Sequence, residues 1–262
     1  MNTIEESLAG LGGEQPPDLD GRVFAGWLTA PSRLGDVHVA VTAGGVQYLR
    51  TADGTDPDGF AEAYRQRFGR PLRPLSSPPH GLLPALRSAV PGVARDRAGK
   101  EAESSRRPGL DLAALSVFER DVLEATRRIP AGQVRPYGWV AREAGRPSAV
   151  RAAASVLARN PLPLLVPCHR VVRGDGKAGE YMFGPDRKRE LLRGEDLDVD
   201  GMEDTARRGE LLVGSDTTGI VCFPTCHHAR RITGPHRRPF RRVDAALAAG
   251  YRPCRDCRPA AA

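Results

Sequence analysis

One cysteine stands apart from the others. Cys168 lies in the run Pro161-Leu162-Pro163-Leu164-Leu165-Val166-Pro167-Cys168-His169-Arg170-Val171. A lone thiol is ordinarily a small buried hydrophobe. Here a potential base and a cation follow it directly, an environment that favours thiolate, the form in which cysteine attacks carbon. The apolar run predicts a strand that delivers Cys168. Neighbouring side chains on a strand point opposite ways, so His169 would act through a bridging water or a sharp turn. The other cysteines form the pattern Cys222-x3-Cys226-x27-Cys254-x2-Cys257. Two close pairs of soft thiolates suit one tetrahedral zinc, a closed site with no open position for hydrolytic water. His227 and His228 follow Cys226 and compete as ligands, but both cysteine pairs are complete without them. So small a block cannot bury a sufficient core, and metal binding would supply much of its folding energy.

The elements that must position these residues are legible as patterns. Over residues 22–52, Val37, Val39 and Val41 share a face, Ala43-Gly44-Gly45 turns the chain, and Val46-Gln47-Tyr48-Leu49 returns. Phe60, Tyr64 and Phe68 recur at helical spacing and are closed by Gly69 and Pro71. Residues 91–109 are charged, small and aperiodic, which predicts a linker. Ser116 and Glu119 form a capping box for a helix with Phe118, Val122, Ala125 and Ile129 on one face. Helices near Tyr137–Ala144 and Ser148–Asn160, joined at Gly145-Arg146-Pro147, make a helix-turn-helix candidate. Residues 197–210 are acidic and contain glycine, predicting a second linker.

Composition sets the class. No apolar run in the 262 residues approaches the roughly 18 that a membrane span needs. Glu5 and Glu6 stand where a secretion signal would be basic and apolar, which predicts a cytoplasmic protein, at the nucleoid in a bacterium. Five cysteines then speak for metal binding or reactive thiols and against a disulfide framework. The net charge of +7 points to an anionic partner such as nucleic acid. Only Lys100, Lys177 and Lys188 are lysines among 39 basic residues, a codon-bias signature that makes any one arginine weak evidence of function.

Ile129-Pro130-x-Gly132, Tyr137, Arg151, Asn160-Pro161, Pro167-Cys168-His169-Arg170-Val171, Gly179-x-Tyr181, Lys188 and Glu195 run in register through residues 116–195. This segment resembles the active-site domain of O6-alkylguanine-DNA alkyltransferases (methylated-DNA–protein-cysteine methyltransferases). Residues 22–75 resemble, more loosely, the family's ribonuclease-H-like N-terminal domain. The resemblance implies an α/β (α+β) architecture: a small ribonuclease-H-like domain over 1–90, the 91–109 linker, a helix-turn-helix active-site domain over 110–196, the 197–210 linker and a zinc domain over 211–262. It also implies single-turnover repair of double-stranded DNA by a monomer without an organic cofactor. The damaged guanine is flipped out and its O6 alkyl group passes irreversibly to Cys168, with O4-alkylthymine left open as a second substrate. By the same resemblance His169 takes the thiol proton through a water and Glu195 orients the imidazole. Tyr137 donates to guanine N3, Lys188 orders the pocket through the Tyr137 side, and Asn160 braces the cysteine turn. Arg151 fills the space the base leaves, Ala152 permits close approach to a minor groove about 6 Å wide, and Arg170 belongs with the DNA-contacting residues. Met182 and Phe183 follow Tyr181 and place the chain with members whose pocket is crowded, implying poor acceptance of bulky alkyl groups.

Thr217-Thr218-Gly219-Ile220, the Cys222–Cys226 pair and Ala248-Ala249-Gly250-Tyr251-Arg252-Pro253-Cys254 resemble the zinc domain of Ada adaptive-response proteins. That resemblance makes Cys222 a candidate second methyl acceptor, from backbone phosphotriesters. Residues 219–262 hold nine arginines and two aspartates, 9 − 2 = +7. Thr218, Arg230 and Arg231 are its candidate phosphate contacts. The domain follows the alkyltransferase where Ada places it first, and no activator domain is expected after Cys257. The rival readings are a non-catalytic lesion reader, a methylation-sensing DNA-binding regulator and a cysteine hydrolase. The presence of Cys168, the missing activator and the lack of an oxyanion-hole signature argue against them in turn.

Overall fold

The structure is a computed structural model that describes residues 23–32, 34–79, 82–83, 86 and 108–260. Apart from its last two residues, the linker expected over 91–109 lies outside the described residues. Among the described residues no helix is long and apolar enough to cross a membrane.

Strands β1 (Ala25–Ser32), β2 (Gly35–Thr42) and β3 (Gly45–Thr51) form an antiparallel meander. Helix α1 (Pro57–Phe68) carries the chain back so that β4 (Leu72–Pro74) pairs parallel to β1, giving the order β3-β2-β1-β4. A parallel return needs such a crossover. The strand alternation serves two cores at once. Ala40 and Tyr48 bury on one face against Phe60 and Tyr64 of α1. Val37, Val39 and Leu49 bury on the other, in a core that extends through the next helices to Cys168. Asp56 caps α1 by accepting from the Gly59 amide at 2.7 Å, and Gly69 closes it in the left-handed region at φ 68°.

Helix α2 (Val117–Arg127) opens with both halves of the capping box. The Glu119 amide donates to Ser116 Oγ at 3.3 Å, and the Ser116 amide donates to Glu119 Oε2 at 2.9 Å. Short strand β5 (Arg135–Pro136) leads into α3 (Tyr137–Glu143), and α4 (Val150–Ala158) follows a turn in which Gly145 holds φ 73°. The chain then runs to a 3-10 turn at Cys168–Arg170 and to β6 (Val171–Val172), which pairs parallel with β5.

Two expectations are corrected here. No strand delivers Cys168. Pro161, Pro163 and Pro167 each lack an amide donor, so the segment cannot sustain a ladder and makes only an isolated bridge between Pro163 and Val166. The acidic stretch 197–210, expected as linker, is helical over α6 (Val199–Arg207) behind α5 (Pro185–Arg193). Asp198 caps α6, Val199 is buried, and Asp200 and Glu203 pair with Arg189 of α5. The acidic residues that suggested a solvated tether are one side of a helix–helix ion-pair network.

Strands β7 (Leu212–Ser215), β8 (Ile220–Cys222), β9 (Arg237–Phe240) and β10 (Arg252–Pro253) form a second sheet in the order β10-β8-β7-β9, covered by α7 (Val243–Ala248). Its cysteine end packs on the α3 region: Trp139 Nε1 donates to the Cys257 carbonyl at 2.9 Å, and the Val134 amide to Thr225 Oγ1 at 3.0 Å.

The Ser116 cap is exposed and isolated from the site, so it reads local helix energetics. Ser116→Ala is expected to cost about 1 kcal/mol, seen as a lower urea midpoint with an unchanged slope.

Candidate active site and metal centre

Cys168 sits 5% exposed at the start of its 3-10 turn, and the loop before it is held by one side chain. Asn160, fully buried, accepts from the Leu162 amide at 2.9 Å through Oδ1. Its Nδ2 lies 3.1 Å from the Val166 carbonyl and 3.2 Å from Cys168 Sγ. The loop it pins includes Leu164 in the left-handed region at φ 72°, a conformation costing roughly 1–2 kcal/mol that free chain would abandon. Burial pushes the Cys168 thiol up, while the Asn160 amide and the positive charges of Lys188 and Arg50 pull it back.

His169 and Glu195 are buried together, with Nε2 and Oε1 2.7 Å apart. Arg170 Nε donates to the same carboxylate at 3.0 Å and its Nη1 to the Ile129 carbonyl at 2.7 Å. The Gly132 amide donates to Glu195 Oε2 at 2.8 Å. Burial alone would raise Glu195, but the hydrogen bonds and charges of His169 and Arg170 overcome it and bring the carboxyl down to about 2. Burial also lowers His169, against the pull of Glu195, so the ring is neutral near pH 7. A neutral ring donating from Nε2 has its lone pair on Nδ1, and Nδ1 is buried without a hydrogen-bond partner among the described residues. That orphan acceptor is what a water-bridged base for the adjacent thiol requires.

The remaining expected residues are placed as follows. Lys188 is completely buried and donates to the carbonyls of Val171 at 2.7 Å and Glu180 at 3.1 Å. It was expected to act through Tyr137, but its hydrogen bonds go to backbone. Burial brings Lys188 down to about 8, against the raising effect of Cys168 and Glu180. Tyr137, at the start of α3, is partly buried against the core that contains Cys168, and burial followed by the Cys168 charge raises its hydroxyl. Arg151 and Ala152 are exposed on α4. Arg170 is corrected: expected at DNA, it is 8% exposed and committed to Glu195 and Ile129, because the 3-10 turn aims it inward.

Two further groups act on the thiol. Arg50 of β3 donates to the carbonyls of Asn160 at 3.3 Å and Pro161 at 3.4 Å, and nothing in its surroundings in the sequence signals that role. Tyr181 is only a landmark of spacing in the sequence. Its hydroxyl is buried without a hydrogen bond among the described residues, raised first by burial and then by Cys168, and its ring meets Phe183 edge-on at 5.5 Å.

In the C-terminal domain the sulfurs of Cys222, Cys226, Cys254 and Cys257 all lie within 4.8 Å of one another, and all four residues are buried. Four converging thiols in a buried cluster fit a tetrahedral zinc ion. His227 and His228 turn away to Asp256, at 3.4 and 2.7 Å, which leaves the all-cysteine set intact. A cleft of about 730 Å³ opens beside the cluster, lined by Cys222 and Cys254 together with Thr218, Arg231 and Arg252. Arg230, expected at phosphate, instead donates through Nη2 to the Gly132 carbonyl.

Residues 117–197 match the family described as 6-O-methylguanine DNA methyltransferase, DNA binding domain, and residues 201–260 match the metal binding domain of Ada. A segment similar to the O6-alkylguanine-DNA alkyltransferase family is thus followed by one similar to the metal domain of Ada. The chain is 48% identical over 80 residues to the bifunctional transcriptional activator/DNA repair enzyme Ada of Escherichia coli, covering 30% of this chain and 23% of that one. It is 42% identical over 92 residues to a methylated-DNA–protein-cysteine methyltransferase of Methanothermobacter thermautotrophicus, covering 35% of this chain and 51% of that one. The chain thus spans from about a quarter to half the length of these alkyltransferase relatives. The crystal structure of the Mycobacterium tuberculosis O6-methylguanine methyltransferase is similar over 65% of this chain and 92% of that one, at 26% identity and a TM-score of 0.46.

Two outcomes follow from the buried network. Asn160→Ala strips partners from a buried amide and carbonyl and should cost about 2–4 kcal/mol. It should also slow iodoacetamide alkylation of Cys168 at fixed pH, because the amide that lowers the thiol pKa is gone. Glu195 has a folded pKa below its ordinary 4.5, so its stabilisation is present above that value and is lost as pH falls toward about 2. His169, also lowered, adds a loss as pH falls below its ordinary 6.5. Urea midpoints of the wild type should therefore fall on acidification, and Glu195→Gln should show a shallower fall in the carboxylate range.

Proposed function

We propose that the chain repairs alkylated double-stranded DNA by moving the alkyl group of O6-alkylguanine irreversibly onto Cys168. The observation that carries this reading is the pairing of a buried thiol, held 3.2 Å from Asn160 Nδ2, with His169, whose Nε2 is taken up by Glu195 and whose Nδ1 is without a partner among the described residues. The thiol proton passes through a water to Nδ1. The thiolate attacks the alkyl carbon in line with the bond to guanine O6. The new S–C bond forms as the C–O bond breaks, and the electron pair leaves on the guanine, where the Tyr137 hydroxyl meets it at the ring. Lys188 and Arg50 lower the cost of the thiolate in a buried site. A thiolate is a poor leaving group from an alkyl carbon, so the thioether persists and each molecule acts once.

The target base must leave the duplex, at a cost of a few kcal/mol that a damaged pair lowers. The exposed Arg151 and Ala152 of α4 face outward for that task, Arg151 to occupy the vacated stack and Ala152 to allow close approach in the minor groove. Met182 and Phe183 beside Tyr181 restrict the alkyl range. The protein acts as a cytoplasmic monomer made of an N-terminal domain, an alkyltransferase domain and the metal domain.

Cys222, Cys226, Cys254 and Cys257 hold the zinc, which when bound keeps its thiolate ligands electron-rich at neutral pH. Thr218 and Arg231 line the cleft that Cys222 faces and would hold phosphates flanking a neutral methylphosphotriester, from which Cys222 takes the methyl. An ordinary phosphate, still charged, is repelled by the sulfur cluster.

Intact-mass analysis after incubation with a duplex carrying one O6-methylguanine should show one added methylene, mapped to Cys168. Cys168→Ser should lose this gain while keeping most DNA affinity, because phosphate contacts carry it. Repeated turnover by the wild type, or methyl transfer by the serine variant, would reject the reading. With methylphosphotriester DNA, a methyl on Cys222 in the Cys168→Ser background is the expected second mark.

A further inference from the structure

The loop Ile129–Arg135 lies between the transfer site and the metal domain and is bonded to both. On one side Arg170 donates to the Ile129 carbonyl at 2.7 Å, and the Gly132 amide donates to Glu195 at 2.8 Å. On the other side Thr225 meets the Val134 amide at 3.0 Å and Arg230 donates to the Gly132 carbonyl. Both backbone groups of one residue are therefore used, one toward Glu195 and one toward the metal domain. Gly132 holds φ 68°, and a Cβ there would come within 2.7 Å of the Glu195 carbonyl oxygen and 3.5 Å of Arg230 Nη2. Only a bare backbone fits between them.

The contact is also buried and charged. Arg135, 2% exposed, lies 5.3 Å from the Phe223 ring and 5.7 Å from Trp139, whose Nε1 donates to the Cys257 carbonyl. Phe223 and Thr225 lie inside the Cys222–Cys226 turn, so the turn that supplies two sulfurs of the cysteine cluster also seats the loop.

We propose that the metal domain is a working part of the alkyl-transfer site, and that Arg230 is its positioning residue: through Gly132 and Glu195 it fixes the orientation of His169 toward Cys168. The inference rests on the transfer reading of Cys168 for its meaning, but its physical content is the reactivity of that thiol. Three consecutive hydrogen-bonded steps connect Arg230 to the imidazole. Loss of the first frees the Gly132 carbonyl and lets the loop, and with it the Glu195 carboxylate, relax away from His169. A misplacement of about 1 Å far from the chemistry can cost on the order of 10²-fold in rate.

The test uses the full-length, zinc-loaded protein as wild type, Arg230→Ala, Arg230→Lys and Gly132→Ala. Cys168 alkylation by iodoacetamide is followed against pH, with peptide mapping to separate it from the metal ligands and metal content measured in parallel. The groups that surround the thiol, Arg50, Lys188, Tyr137, Tyr181 and Asn160, are the same in every variant. Arg230→Ala and Gly132→Ala should keep one zinc per chain, slow Cys168 about tenfold and move its pH profile upward, and Arg230→Lys should recover part of the rate. Gly132→Ala presses on the Glu195 backbone directly, so it reports whether the loop sets the thiol's reactivity, and the relay itself is read from the Arg230 variants. Wild-type rate and profile in zinc-loaded Arg230→Ala or, should that variant lose zinc, in the similarly long Arg230→Met would overturn it. A wild type that takes no methyl from DNA, while Arg230→Ala still slows the thiol, would reject the transfer reading and keep the relay.

Discussion

The site depends on one carboxylate staying ionised in the interior. Glu195 has no solvent exposure at its side chain, and an isolated buried carboxylate would take up a proton. It keeps its charge because His169, Arg170 and the Gly132 amide all donate to it. Those three donors come from two stretches of chain: the 3-10 turn that starts at Cys168 supplies two and the loop after α2 the third. Satisfying Glu195 thus fixes the imidazole, turns Arg170 inward and sets the distance between the α2–α3 loop and the cysteine. Removing the carboxylate would strip His169 of its partner and leave the buried Arg170 charge uncompensated, at a cost of about 3–5 kcal/mol.

The rest of the molecule clamps this network from two sides. Arg50 and the Leu49 amide of β3 bond the carbonyls at Asn160 and Pro161, so the N-terminal sheet holds the strained loop that presents the thiol. The metal domain holds the Gly132 loop from the opposite side through Thr225 and Arg230. Neither clamp has to contact the alkyl group to matter. Each limits how far a neutral imidazole and a buried thiol can drift apart.

Legibility followed the range of the physics. Local signals read well: the Ser116–Glu119 box, the four-residue spacing of Phe60, Tyr64 and Phe68, and the β2–β3 alternation are all present as the sequence suggests. The cysteine pairs were legible because ligand spacing is itself local. What failed was what depends on distant partners. Arg170 and Arg230 read as DNA contacts, yet both spend their guanidinium groups on the interior or on a neighbouring loop. In a chain so rich in arginine, nothing local distinguishes a structural guanidinium from a DNA-facing one. The same holds for α6, whose acidic residues read as solvated until Arg189 and Arg193 of α5 are seen opposite them, and for Arg50, whose importance comes wholly from a loop more than a hundred residues later.

The account stands on the tautomer of one ring. Selective ¹⁵N labelling of histidine and NMR of His169 in the resting, zinc-loaded protein would read it directly. Near neutral pH, Nε2 should carry the proton and Nδ1 should show the shift of an unprotonated nitrogen, with conversion to imidazolium only below the ordinary histidine pKa of about 6.5. A ring protonated on Nδ1, or an imidazolium at neutral pH, would leave no acceptor for the thiol proton and would contradict the mechanism.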